Sequence, residues 1–407
     1  MKAKKQLTED AYFKKTVAFN AWKQSLQFKM SQELFSSHDI DLGTRFLLRT
    51  IVESEYSHLK SIFDLGCGYG PIGLMLKKLY KDCLVHMVDR DALALEYSRQ
   101  NAVLNGLDVE IYASLGYQDA KRADFDLIVS NIPGKAGEPV IAYLLLEAGL
   151  YLAQNGLAAI VVVDPLQSTV AKVLSETPGV EILLKRSRPG HTVFHYRFLD
   201  GPGLLRPNKS ALERGVYLRN RIEIRFENLQ FPMQTAYGLP EFDSLDYSSE
   251  MLIKALQDIR APEIRHAVVF NPGQGHTAVA LWKLIHPGSI TLVDRDLLAL
   301  RYSKLNLGLN DCPPELIATS HQVGANLAGK EEVDLFIGVL RDAEGPGAIR
   351  LTIEQAAQKL SAKGVMIVSA GSTAITRLVA HLQYQERLRI KSRERWRGNS
   401  LLVLERG

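Results

Sequence analysis

The stretch FDLGCGYGPIG (63–73) places an acid at the end of an apolar run and follows it with Gly66, Gly68 and Gly70. Glycines at that spacing let the backbone approach a ligand where a Cβ would intrude. Two ligands compete for the loop. Gly68-Tyr69-Gly70-Pro71-Ile72-Gly73 fits the dinucleotide pattern G-x-G-x-x-G, with Asp89 further on as the ribose partner. The alternative reads Asp64-x-Gly66-x-Gly68-x-Gly70 as a loop for S-adenosylmethionine (SAM). Three details favour SAM. A carboxylate at Asp64 suits the ligand's amino group and would repel a pyrophosphate. Asp89 can accept two hydrogen bonds side by side from a ribose diol. Finally, SNIPG (130–134) puts Asn131 after the apolar run FDLIV, beside the expected methyl group, and nicotinamide chemistry asks for no amide there. The plain alternative for Asn131-Ile132-Pro133 is a loop turn.

The elements that must position these residues alternate. SIFDL, LVHMVD and FDLIVSN read as strands, and PIGLMLKKLY and ALALEYSRQNAVLNG as helices. Such alternation predicts an α/β doubly wound, mostly parallel sheet with ligands at the carboxyl ends of its strands.

The whole arrangement is written twice. VDRDALALEYSRQNAVLNGL (88–107) returns as VDRDLLALRYSKLNLGLND (293–311), SLQFKM (25–30) as NLQFPM (228–233), and FDLIVSN (125–131) as VDLFIGV (333–339), at offsets of 203 to 208 residues. The expected architecture is therefore two tandem Rossmann-like domains, the second degenerate. The boundaries are a basic N-terminal arm (1–33), a ligand-binding domain (34–198), a linker and start of the second unit (199–238), and the degenerate domain (239–407). Aligning FDLGCGYGPIGLML with FNPGQGHTAVALWK (270–283) turns Asp64 into Asn271, Gly68 into Gly275 and Gly70 into Thr277. Asp294 stands where Asp89 does, and Asn131 falls on Val339. A valine cannot accept a hydrogen bond from an amine, so the second copy is expected to lack catalysis.

Composition adds bounds. With 407 residues, 46% hydrophobic and 23% charged, the chain has the balance of a globular protein. No apolar run is long enough for a membrane span, the lysine-bearing N-terminus is not followed by a signal-like apolar segment, and three cysteines without CxxC pairing suit a reducing cytoplasm. No metal site is expected from Cys67, Cys83 and Cys312, or from His191 and His195 on a strand-like run. The net charge of +4 is unevenly spread: Arg387, Arg389, Lys391, Arg393, Arg395 and Arg397 recur at every second position. On a strand all six would share one face, either a solvated edge or a track for a phosphate backbone.

With LFSSHDIDLGTRFLLRTI (34–51), DLGCGYGPIGL (64–74), VDRDALALEYSRQNAVLNG (88–106) and FDLIVSNIPG (125–134), the chain resembles class I SAM-dependent methyltransferases. More narrowly, it resembles the two-domain ribosomal RNA guanine-N2 enzymes of the "methyltransferase small" family. The resemblance implies that Asp64, Gly66, Gly68 and Gly70 hold the methionine end of SAM and Asp89 the ribose, while Ala113 and Ser114 flank the adenine. Asn131 and the main-chain carbonyl of Ile132 would accept hydrogen bonds from the target amine, and Pro133 is the motif's second proline. RNA would be the partner. One departure stands out. The family pattern is Asn-Pro-Pro-aromatic, whereas this chain has Asn131-Ile132-Pro133-Gly134, without the ring that stacks on a flipped base. Phe35, Tyr12 or Trp22 could supply another. Otherwise the acceptor is a protein side chain or a small molecule, or the chain is a SAM- or RNA-binding protein without transferase activity.

Overall fold

A computed structural model describes residues 10–34, 39–56, 59–199, 207–259, 263–327, 329, 331–384 and 387–407. In the first unit a hairpin of β1 (Phe13–Ala21) and β2 (Gln24–Ser31) precedes α1 (Leu42–Glu53). Then follow β3 (Ser61–Leu65), α2 (Pro71–Leu79), β4 (Leu84–Asp89), α3 (Ala92–Leu104), β5 (Glu110–Ala113) and β6 (Phe125–Asn131). The unit closes with α4 (Glu138–Leu146), β7 (Leu152–Val163), α5 (Gln167–Glu176), β8 (Val180–Arg188) and β9 (His191–Phe198).

The second unit repeats this order. It runs through β10 (Leu218–Phe226), β11 (Leu229–Ala236), α6 (Tyr247–Gln257), β12 (His266–Phe270), α7 (His276–Ile285), β13 (Ser289–Asp294) and α8 (Leu297–Leu309). It ends with β14 (Ile317–His321), β15 (Val333–Val339), α9 (Gly345–Ala357), β16 (Leu360–Gly371), α10 (Ser372–Leu382), β17 (Leu388–Trp396) and β18 (Asn399–Arg406).

Each unit builds a seven-stranded sheet, in the orders β5-β4-β3-β6-β7-β9-β8 and β14-β13-β12-β15-β16-β18-β17. All strands are parallel except β9 and β18, which run against their neighbours. The order reverses between β3 and β6, the switch point of a doubly wound sheet, where a crevice opens at the carboxyl edge. Both faces of β3 are covered, so all five of its residues are buried, the apolar Ile62, Phe63 and Leu65 together with the polar Ser61 and Asp64. In the first unit one core layer gathers α1, α2, α3 and the hairpin, and the other gathers α4 and α5.

The duplication is more exact in space than in sequence. β1 begins at Phe13 and β10 at Leu218, an offset of 205 that holds from the hairpin to α3 and α8. The LQF match at 203 is therefore a coincidence that lies two residues out of the structural register. Side-chain bonds fix the true register: Asn101 and Asn306 each pair with a β-hairpin backbone, at Lys29 and Gln234 respectively. The segment 199–238, assigned from sequence as linker and start of the second unit, holds the second hairpin, and the arm assigned to 1–33 holds the first.

The repeated Asp-Arg-Asp sequences face one another. Ala92 N donates to Arg295 O at 2.8 Å and Leu297 N to Arg90 O at 3.0 Å. Arg90 pairs with Asp296 at 3.2 Å and Arg295 with Asp91 at 3.1 Å. His321 Nε2 lies 2.9 Å from Arg90 O and 2.8 Å from Arg295 O. The two copies thus meet reciprocally, as in a two-fold dimer fused into one chain.

The cationic stripe of β17 does not keep one face. A bulge between Ile390 and Ser392 shifts the register. Arg389 and Lys391 pair with Glu405, whereas Arg393 and Arg395 bond Thr376 and Ser372 of α10. Arg397, beyond the strand, lies over the rings of Tyr247 and Trp396.

Candidate active site

The glycine loop leaves β3 and enters α2 through three left-handed residues, Gly66 (φ 76°), Gly68 (φ 57°) and Gly70 (φ 97°). Pro71 then starts the helix with its φ already set. A Cβ placed on Gly66 or Gly68 would meet nothing within 4 Å, so the backbone there faces open space that a ligand can occupy. The repeated helix braces the loop. Ser98 Oγ donates to Gly68 O at 2.8 Å, and Asn101 Nδ2 to Tyr69 O at 2.9 Å.

Asp89, at the end of β4, accepts from Gly68 N at 2.9 Å through Oδ2 and from Asp91 N at 2.9 Å through Oδ1. Burial raises its pKa, opposed by those two N–H groups. Asp64 lies deeper. It is fully buried, and its Oδ2 accepts from Gly73 N at 2.8 Å while Oδ1 has no hydrogen-bond partner among the described residues. Burial raises the Asp64 pKa to about 7, the Gly73 N–H acting the other way. Gly73 is a glycine for packing reasons: a Cβ there would come within 2.9 Å of Asp64 Oδ2. Ala113 ends β5, and Ser114 N donates to Asp89 O at 3.1 Å, so both stand beside the strand end that carries Asp89.

Asn131 ends β6 on the other side of the switch point. Its Nδ2 donates to Asp41 Oδ2 at 3.0 Å and lies 3.4 Å from Thr44 Oγ1. A carboxylate only accepts, so this bond fixes the amide flip and leaves Oδ1 as the outward acceptor. Asp41 is held in turn as the N-cap of α1, accepting from Thr44 N at 3.1 Å. His191 packs against the start of α1; its ring lies 2.7 Å from where a Cβ on Gly43 would be. Ile132 is buried and its N donates to Val161 O at 3.0 Å; Pro133 accepts from Ala136 N at 3.3 Å in the turn that follows. Sequence reading placed Asp41 and Thr44 inside one motif but gave neither a role, and considered His191 only as a metal ligand. The spacing Asp41-x-x-Thr44 before an amphipathic run was the available cap signal.

Among the described residues, neither Tyr12 nor Trp22 comes within 4 Å of a Cβ on Gly134, whose near neighbour is Val163 Cγ2. Tyr12 is buried in the hairpin layer, Trp22 sits in the β1–β2 turn edge-on to Phe19, and Phe35 lies outside the described residues. The ring of Tyr237, from the second unit, instead packs on Gly137, three residues beyond Gly134. His195 is not near the site: burial lowers its pKa to about 4, and it bonds Thr50 and Tyr56 in the interior.

The second unit keeps the loop's path but fills its space. In register, Asp64 corresponds to Val269, Gly66 to Asn271, Gly68 to Gly273 and Gly70 to Gly275. The sequence alignment that put Thr277 in the loop is corrected, since Thr277 lies inside α7. Asn271 Nδ2 donates to Val339 O, Pro240 and Glu241 stand 3.7 Å from a Cβ on Gly273, and Arg341 pairs with Asp294 at 2.6 Å. Val339 replaces Asn131, as expected from the sequence.

A doubly wound sheet with an open glycine cradle at its switch point, a ribose-side acid and an oriented amide defines a class I SAM-dependent methyltransferase. The model of the methyltransferase small domain matches residues 25–186. The uncharacterised Bacillus subtilis protein YbxB is 34% identical over 145 residues, 35% of this chain and 71% of that protein. Ribosomal RNA small subunit methyltransferase C of Aeromonas hydrophila is 42% identical over 104 residues, 26% of this chain and 29% of that one. The chain thus matches less than a third of that enzyme's length. A T. thermophilus 16S rRNA N2 methyltransferase (RsmC), solved with AdoMet and guanosine, superposes over 97% of this chain and 98% of its own with a TM-score of 0.67 at 15% identity, which shows a shared two-unit fold. The chain belongs to the methyltransferase small domain family. Its cofactor is SAM. Among the described residues, no helix is long and apolar enough to cross a membrane.

Proposed function

We propose that the first unit methylates the exocyclic N2 amine of a guanine in ribosomal RNA. The observation that carries this reading is the Asn131 amide, locked by Asp41 so that its oxygen faces an incoming N–H donor. Relatives similar to this chain include ribosomal RNA small subunit methyltransferase C and, at 30% identity over 129 residues, large subunit methyltransferase G of Shewanella woodyi. The exposed cations of β8, Lys185, Arg186 and Arg188, lead along an edge strand toward His191 and offer a path for RNA phosphates.

Gly66, Gly68 and Gly70 cradle the methionine end, Asp64 sets its charge environment, Asp89 takes the ribose and Ala113 and Ser114 border the adenine. Bound there, SAM supplies an electrophilic methyl group on a sulfonium with a good leaving group. Asn131 Oδ1 and the Ile132 carbonyl accept the two N–H bonds of the amine and aim its lone pair at that methyl carbon; Pro133 fixes the turn that carries the carbonyl. Positioning of this kind is the main task left to the protein. Once that methyl were transferred, the sulfur would be left as a neutral thioether and the amine would release one proton to restore neutrality. The three cysteines, all free and buried, suit a reducing cytoplasm.

Gly134 supports a second reading, in which the acceptor is a protein side chain or small molecule that needs no stacking ring. Transfer of labelled methyl from SAM into fractionated cell extract, with Asn131→Ala as control, separates the two. Label in ribosomal RNA that disappears with the variant is the expected result; label confined to protein or small molecules would replace the first reading with the second.

A further inference from the structure

The backbone and Asp–Arg contacts at the centre of the join come in mirrored pairs, as a duplication would leave them, with one-sided contacts such as Gln32 to Ala343 O around them. Arg301 breaks that reciprocity. From α8 of the second unit its Nη2 donates to Asp119 Oδ1 of the first at 2.6 Å. The counterpart of Arg301 in α3 is Glu96, and the counterpart of Asp119 is Leu327, so no mirrored bridge can form. The one-sided ion pair lands beside the open cradle and not beside the filled one.

Asp119 is the knot of the loop that follows β5. Its Oδ2 accepts from Leu115 N at 3.1 Å, and its N donates to Ser114 Oγ at 3.1 Å. Ser114 Oγ bonds onward to Gly116 O at 2.7 Å. The loop starts on Asp89, through Ser114 N, and is backed by Tyr143, whose hydroxyl donates to Leu115 O and accepts from Tyr117 N. Arg301 sits firmly enough to act on it: Leu298, Ala299 and Tyr302 of the same helix are buried within the first unit's core layer. A carboxylate that accepts both a backbone N–H and a guanidinium N–H has its orientation fixed from two sides.

We propose that Arg301 is a positioning residue for cofactor binding: through Asp119 the second unit holds the 114–119 loop in the shape that receives the adenine. The degenerate copy is then a working part of the first copy's site. This rests on the reading that SAM lies along Asp89 with its adenine beside Ala113 and Ser114.

The test is equilibrium binding of SAM and S-adenosylhomocysteine to the full chain, with steady-state kinetics alongside. Arg301→Ala should raise Kd for both ligands about tenfold, roughly 1.4 kcal/mol. KM for SAM should rise in parallel while kcat at saturating SAM is unchanged, and Arg301→Lys should recover part of the affinity. An unchanged Kd in Arg301→Ala overturns the proposal. So does a fall in saturated kcat that matches the fall in affinity, since that marks general damage to the fold. Wild-type protein that binds neither ligand would instead sink the cofactor reading on which the proposal stands.

Discussion

The two glycine loops follow nearly the same backbone path and face opposite conditions. Gly68 and Gly273 have φ of 57° and 56°, Gly70 and Gly275 of 97° and 100°. Ser98 braces the first loop and Ser303 the second. Yet the first loop borders open space, while the second is closed by Asn271, Glu241 and Arg341. Beneath the loops the substitutions compensate: Asp64 requires Gly73, and Val269 stands with Ala278. Backbone geometry therefore records folding needs shared by both copies. Side chains that point into the crevice record whether a ligand enters.

The largest expected effect tests the amide. Asn131→Ala should lower kcat by about 10²–10³, the cost of losing one oriented hydrogen-bonding group, and leave SAM affinity nearly unchanged; equal loss of both would remove Asn131 from the acceptor role. Gly68→Ala and Gly273→Ala set the copies directly against each other. Each puts a Cβ on a left-handed residue and should cost about 1–2 kcal/mol of stability. Only Gly68→Ala should also weaken SAM binding, because its methyl enters the cradle. Matched binding losses would mean that the second crevice is occupied too. Calorimetric stoichiometry should accordingly be one SAM per chain, and Arg341→Ala should not raise it, because Asn271 and Glu241 still fill the space.

Asp41→Asn is expected to be milder. It keeps a capping side chain on α1 but no longer dictates the Asn131 flip, so kcat should fall while melting temperature drops little. The smallest effect concerns Asp64. Its folded pKa is raised to about 7 by burial, above the roughly 3.9 of an unfolded aspartate, so this group's stability contribution is fully present below the unfolded value and is lost progressively as pH rises to about 7, with no further loss above it. SAM affinity should change in the opposite sense, rising over the same window as a carboxylate forms near a cationic ligand. Asp64→Asn should flatten both profiles, and a slope that survives in the variant would assign it to another group.

Much of this site lies in short spans of sequence. The glycines, Asp89 and Asn131 stand out because each follows an apolar strand run, and strand ends in a parallel sheet converge on one edge. Reading Asp64 was harder. Its position at the strand end was plain, but its carboxylate turns to Gly73 N, a partner nine residues away that no spacing rule marks. The β17 stripe misled because period-2 alternation holds only until a bulge, and the bulge is set by pairing with β18.

The sequence alone determined that there are two units of one fold, that only the first retains an amide at the strand end, and that its loop can approach a cofactor. Those are local properties, carried by residue type, strand period and helix cap. Tertiary structure decided the rest: the two-residue shift in the repeat's register, the Asp41–Asn131 lock, the closure of the second crevice and the reach of Arg301 to Asp119. Each of these joins residues from separate elements, and such partners are chosen by packing across the sheet edge and between the units rather than by neighbours along the chain.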